Sequence, residues 1–123
     1  MTETALISIV DDDESMREAI QSLLRSVGFR TQMFASAEQF LQSDQIETTA
    51  CLILDVRMPG MSGLELQRRL MATQRRIPIV FVTAHGDEEV RSRALQEGAV
   101  EFLLKPFSEE ALLNAIQAAL PTQ

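Results

Sequence analysis

One cysteine, Cys51, stands alone in a chain of 123 residues, and it lies inside an apolar run. A lone thiol so placed offers neither a disulfide framework nor a thiolate metal site. Positive charge is also short: 11 lysines and arginines against 18 aspartates and glutamates leave a formal charge of −7. A phosphate backbone or an anionic membrane would repel that surface, which excludes direct electrostatic binding of this chain to nucleic acid or acidic lipid. No apolar run approaches the ~20 residues of a membrane span, and Met1-Thr2-Glu3-Thr4 lacks the basic start of a secretory signal. A cytoplasmic protein is expected. Internal repeats and low-complexity tracts are absent too. With 46% hydrophobic residues, a chain of this length makes one domain that buries about two thirds of its unfolded surface.

What is present is an alternation of short apolar runs and amphipathic stretches. Ala5 to Val10 reads as a first strand, ended by Asp11, Asp12, Asp13 and Glu14. A helix follows with Met16, Ala19, Ile20, Leu23, Leu24 and Val27 on its buried face, stopped by Gly28. Phe29 to Ala35 is a second strand, and Ser36 with Gln39 resembles a capping box for a short helix facing inward through Ala37, Phe40 and Leu41. Gln42 to Thr49 reads as a polar loop. The third strand, Cys51 to Leu54, stops at Asp55; Pro59 to Gly63 forms a loop, and Leu64, Leu66, Leu70 and Met71 mark a third helix.

Ile79 to Val82, apolar throughout and therefore covered on both faces, is a fourth strand that ends at Thr83. The helix after it has a thin apolar face, Val90, Ala94 and Leu95. Val100 to Leu104 is a fifth strand ending at Lys105-Pro106, and Ser108 caps a last helix with Leu112, Leu113, Ile116, Ala119 and Leu120 inward. Five strands alternating with five helices require crossovers between parallel neighbours. The expected fold is a doubly wound α/β domain with a five-stranded parallel sheet, flavodoxin-like, in strand order 2-1-3-4-5. Residues 1–120 would form the domain and 121–123 the opening of a linker.

In that order the first and third strands flank the topological switch point, where open α/β sheets bind ligands. Asp11, Asp12 and Asp55 would then share one crevice, with Thr83 and Lys105 at neighbouring strand ends. Two like charges about 4 Å apart repel by about 4 kcal/mol at an effective dielectric near 20, so the acids need compensating positive charge. Lys105 brings one charge, and a hard divalent cation bound through oxygen, Mg²⁺ by preference, would bring the rest. Metal, lysine and hydroxyl suit a phosphoryl group, with Asp55 as the attacking carboxylate. Taken singly, Asp12 or Asp13 would serve as a helix cap, Thr83 as a strand end and Lys105 as a solvated cation; Asp13 is assigned to capping.

Val-Asp-Asp-Asp-Glu at 10–14, Leu-Asp-Val-Arg-Met-Pro-Gly-Met-Ser-Gly at 54–63, Val-Thr-Ala at 82–84 and Leu-Lys-Pro-Phe at 104–107 together resemble the receiver domain of two-component response regulators. The likeness covers almost the whole chain. It implies that Asp55 accepts a phosphoryl group from a sensor histidine kinase, in a phosphoacceptor domain that is not an enzyme beyond its own phosphorylation and dephosphorylation. It implies that Asp12, Asp55 and the backbone carbonyl of Arg57 bind Mg²⁺, that Asp11 reaches the metal through water, and that Lys105-Pro106 is cis. Thr83 and Phe102 would be the switch residues; Phe102 lacks the hydroxyl of the tyrosine some relatives carry. Arg57 and His85 fall at positions that tune the lifetime of the phosphoryl group. The resemblance extends to a homodimer promoted by phosphorylation through the fourth helix, fifth strand and fifth helix. It also extends to an output domain, in this chain or another, of the LuxR helix-turn-helix type that regulates transcription.

Three other readings compete. A phosphatase of the haloacid dehalogenase kind would carry a second Asp two residues after its nucleophile, where this chain has Arg57. A flavodoxin-type cofactor binder would show a glycine- or hydroxyl-rich loop after the first strand, where this chain has four acids. A receiver acting by binding alone, never phosphorylated, gains no support from a complete acid, threonine and lysine set.

Overall fold

A computed structural model describes residues 5–84 and 86–120. The strands are β1 (Leu6–Val10), β2 (Arg30–Phe34), β3 (Thr49–Asp55), β4 (Ile79–Thr83) and β5 (Glu101–Leu104). The helices between and after them are α1 (Glu14–Ser26), α2 (Ala37–Leu41), α3 (Gly63–Ala72), α4 (Glu88–Gln96) and α5 (Glu109–Ala119). All pairings are parallel and the sheet order is β2-β1-β3-β4-β5, as the alternation of runs predicts.

Alternation along each strand divides the core in two. Leu52, Leu54 and Phe81 face α2, α3 and α4 through Phe40, Leu66, Leu70 and Ala94. Cys51, Ile53, Val80 and Val82 face α1 and α5 through Ile20, Leu24, Leu112 and Ile116. Along a central strand clothed on both faces a carboxylate is costly until the chain leaves the sheet, so its first carboxylate marks the sheet's edge. Cys51 is fully buried, and burial pushes its thiol up to about 12, which keeps it protonated and inert.

Several local expectations give way to the observed packing. Strand β3 begins at Thr49, inside the stretch read as loop, because Thr49 lies opposite Leu6 of β1 and its hydroxyl pairs with that of buried Ser8 at 2.7 Å. Gly63 is the first residue of α3 rather than the end of a loop, and Ser62 and Glu65 form a complete capping box there. At α2 the reciprocal bond is shifted by one residue: Ser36 Oγ accepts from the Gln39 N–H, but Gln39 Oε1 accepts from Ala35 N–H. Val27 and Met71, expected on inner faces, are exposed. Val27 is the C-cap of α1, past the last turn that faces the sheet. In α3 the inward stripe runs Gly63, Leu66, Gln67, Leu70, which turns Met71 away from the core.

The fourth helix is as weakly held as its thin apolar face suggests. Ala94 is its one fully buried residue. Two polar ties supplement it: Gln67 Nε2 donates to the Ala94 carbonyl at 3.0 Å, and Arg68 pairs with Glu97 at 3.4 Å.

Candidate functional site

Strands β1, β3, β4 and β5 deliver their terminal polar residues to one edge. Asp11 follows β1 and is fully buried; Asp55 closes β3, nearly as buried; Asp12 is exposed at the mouth. One carboxylate oxygen from each of the three lies within 4.8 Å of the others, an all-oxygen set that fits a hard divalent cation.

Lys105, just past β5, reaches in with Nζ 2.9 Å from Asp11 Oδ2 and 3.7 Å from Asp55 Oδ2. Its backbone N–H donates to the Thr83 carbonyl at 2.8 Å, which locks the ends of β4 and β5 together. The Lys105-Pro106 peptide is cis. Thr83 is fully buried at the end of β4, and Phe102 is buried against Phe81, ring centroids 6.1 Å apart.

One lysine does not balance three acids. Burial first, then the neighbouring Asp11 and Asp12 charges, push the Asp55 carboxyl up to about 6, although Lys105 and a hydrogen bond from the Arg57 backbone N–H pull the other way. Asp11 uses both of its oxygens: Oδ1 accepts from the Asp13 N–H at 2.9 Å and Oδ2 from Lys105. Asp13, as assigned, caps α1, accepting from the N–H groups of Ser15 and Met16. The Arg57 side chain is exposed at the mouth. His85 falls outside the described residues.

Two supports of this site have no local signature in the sequence. Arg17, a turn into α1, donates from Nη1 to the Asp11 carbonyl at 2.7 Å and so pins the β1–α1 turn. Gly63 packs its Cα against the end of β3, and its N–H donates to the Val56 carbonyl at 2.9 Å. An arginine three residues after an acidic run, and a glycine at a helix start, are common enough that neither points to a site alone.

A doubly wound CheY-like sheet with acids, lysine and threonine meeting at its switch point defines a class of signalling domain. The model of the response regulator receiver domain family matches residues 7–117, and the chain belongs to that family. It is 49% identical over 116 residues to the response regulator protein TodT of Pseudomonas putida, covering 94% of this chain and 51% of that protein. It is 40% identical over 120 residues to the transcriptional regulatory protein FixJ of Bradyrhizobium diazoefficiens, covering 98% of this chain and 58% of that protein. The solved response regulator StyR superposes with a TM-score of 0.89 at 52% identity, over 96% of this chain and 60% of that one. The chain thus spans about half the length of the curated relatives it matches. No helix among the described residues is long and apolar enough to cross a membrane.

Proposed function

We propose that this domain is a phosphorylation switch in which Asp55 takes a phosphoryl group from the phosphohistidine of a sensor kinase. The observation that carries the reading is the Lys105 ammonium held between the Asp11 and Asp55 carboxylates, at 2.9 and 3.7 Å. An ammonium so placed stabilises negative charge that arrives on Asp55. In the transfer, an Asp55 carboxylate oxygen bonds to phosphorus as the bond from phosphorus to the histidine nitrogen breaks. The imidazole leaves with the electron pair, and an acyl phosphate remains.

Asp12, Asp55 and the Arg57 carbonyl would hold Mg²⁺, with Asp11 behind a water, in keeping with its two engaged oxygens. A bound cation supplies charge neutralisation for the phosphoryl oxygens. Thr83 and Phe102 would pass the change to α4 and β5. The exposed Arg57 side chain would obstruct the hydrolytic water, so Arg57→Ala is expected to shorten the lifetime of the phosphoryl group severalfold, read from its decay by intact mass.

The chain is, on this reading, a phosphoacceptor and not an enzyme acting on other substrates; Arg57 stands where a phosphatase would carry its second acid. Residues 1–120 would be the receiver, and the output it controls, in this chain or another, would be transcription, as the name of one relative, a transcriptional regulatory protein, suggests. Phosphorylation would pair two copies through α4, β5 and α5. The support is a cleft of about 340 Å³ lined by Arg91, Phe102, Leu103, Phe107 and Leu104, the last with 52% of its surface exposed. Sedimentation of the phosphorylated protein tests this, and a monomer at high concentration would refute it.

The test of the central reading is intact mass after incubation with Mg²⁺ and acetyl phosphate. Wild type is expected to gain one phosphoryl group, with no gain when Mg²⁺ is removed or in Asp55→Asn. No gain in wild type, with kinase donors also tried, would favour the binding-only receiver.

A further inference from the structure

We infer that Glu38, on the short helix α2, is a positioning residue for the phosphoacceptor site: its carboxylate clamps the loop that carries Arg57 through the backbone N–H of Met61. This rests on the reading of Asp55 and the Arg57 carbonyl given above. The bond is 2.9 Å long and spans 23 residues. It is the polar tie between α2 and the β3–α3 connection among the described residues, and no feature of α2 itself calls for it.

Gly60 marks how closely the two segments meet. Its φ of +78° is a conformation that glycine adopts without strain, and a Cβ built there would stand 2.7 Å from Glu38 Oε2. A side chain at residue 60 would therefore strain the turn and push the carboxylate off its donor. The Met61 N–H in turn holds the Glu38 carboxyl below its usual range, so the group is ionised and accepting throughout the neutral range.

The loop matters because of the two backbone groups of Arg57. The Arg57 N–H already donates to Asp55, and the Arg57 carbonyl is the proposed metal ligand. The base of the loop is closed by Gly63 N–H on the Val56 carbonyl, and its far end by the Ser62 capping box. Between these, buried Met58 anchors one side chain and the Glu38 bond holds the Met61 peptide from outside; on this proposal that bond limits rocking of the loop's peptide planes. Partners one step beyond a metal ligand typically change affinity or activity about 10- to 100-fold when removed; Glu38 acts through intervening backbone, so a smaller effect, about fivefold, is expected.

The experiment compares Glu38→Ala, Glu38→Gln and, as a control, Glu47→Ala, whose carboxylate pairs with Arg75 away from the site. Mg²⁺ affinity is read by NMR titration of the Asp12 and Arg57 amides, and the Met61 amide by hydrogen exchange. The rate of phosphorylation by acetyl phosphate is measured alongside. Glu38→Ala is expected to weaken Mg²⁺ binding about fivefold, speed Met61 exchange and slow phosphorylation by a like factor, with an unchanged urea midpoint. Glu38→Gln, whose amide oxygen still accepts from Met61, should stay within about twofold of wild type. Gly60→Ala should lose less Mg²⁺ affinity in the Glu38→Ala background than in wild type, because the carboxylate it displaces is already gone. Glu38→Ala indistinguishable from Glu47→Ala, or Glu38→Gln as weak as Glu38→Ala, would overturn the clamp. If wild type takes up no phosphoryl group, the proposed function fails, while the Mg²⁺ titration and Met61 exchange still decide the clamp.

Discussion

Replacing Gly63 with alanine is expected to cost about 2–4 kcal/mol of folding stability, at the upper end of single-site effects. The cause is backbone against backbone. A Cβ on Gly63 would lie 2.2 Å from the Asp55 carbonyl oxygen, 3.0 Å from its carbon and 3.1 Å from Phe81 Cε1. No flexible side-chain tip stands there to move aside. The clash yields only if the first turn of α3 lifts from the end of β3, which breaks the Gly63 N–H bond to Val56 and tilts Asp55 itself. Two readouts should therefore fall together, the urea midpoint and the rate at which acetyl phosphate labels Asp55. Gly98→Ala is the comparison: its φ of +105° brings strain, but nothing lies within 4 Å of the added methyl group, so about 1 kcal/mol is expected with labelling intact. A Gly63→Ala midpoint within about 0.5 kcal/mol of wild type would show that α3 can slide, and would remove the steric account of this junction.

Substituting Asp55 with asparagine should, by contrast, stabilise the metal-free domain at neutral pH while abolishing its labelling. The folded carboxyl is pushed up to about 6 from an ordinary value of 3.8, chiefly by burial and by Asp11. For an acid whose pKa is raised by folding, the folded state binds a proton that the unfolded chain has released. Stability from this group therefore falls as pH rises through the window from about 4 to about 6, and the whole penalty is present above it. Removing the charge should recover about 3 kcal/mol at pH 7.5, at 1.36 kcal/mol per decade of protonation. That gain should fade below about pH 4, where both states are protonated. Added Mg²⁺ should narrow it, since a cation stabilises the folded wild type in proportion to its occupancy and offers less to the asparagine variant. Urea titrations of the two proteins at pH 4 and 7.5, without and with Mg²⁺, check each limb. An asparagine variant less stable than wild type at pH 7.5 without metal would mean that Lys105 already over-compensates the acids.

The sheet was legible because its strands are covered on both faces, which makes Ile79-Val80-Phe81-Val82 and Cys51-Leu52-Ile53-Leu54 continuous apolar runs with abrupt polar ends. Those ends, Asp11, Asp55, Thr83 and Lys105, are also the site residues that the fold gathers, so one signal located both. Harder to read were contacts made by polar atoms across long separations. Thr49 belongs to β3 because of Ser8, 41 residues away, and nothing within Gln42 to Thr49 announces it. Glu38 and Arg17 look like ordinary solvated helix charges until the backbone groups they bind are placed opposite them. Gln67 holds a core position on α3, where an apolar count prefers Met71, because its amide finds the Ala94 carbonyl. Local periodicity records which face is greasy, but not which polar atom finds a partner on another element.

Lys105 meets Asp11 from 94 residues further along the chain. During synthesis the acids of β1 and β3 leave the ribosome well before the lysine that faces them, and until β5 docks beside β4 the acidic end of the sheet carries its repulsion uncompensated. The contact that readies the pocket is thus among the last the chain can make. A half-made copy therefore presents Asp55 without the lysine that faces it in the finished fold.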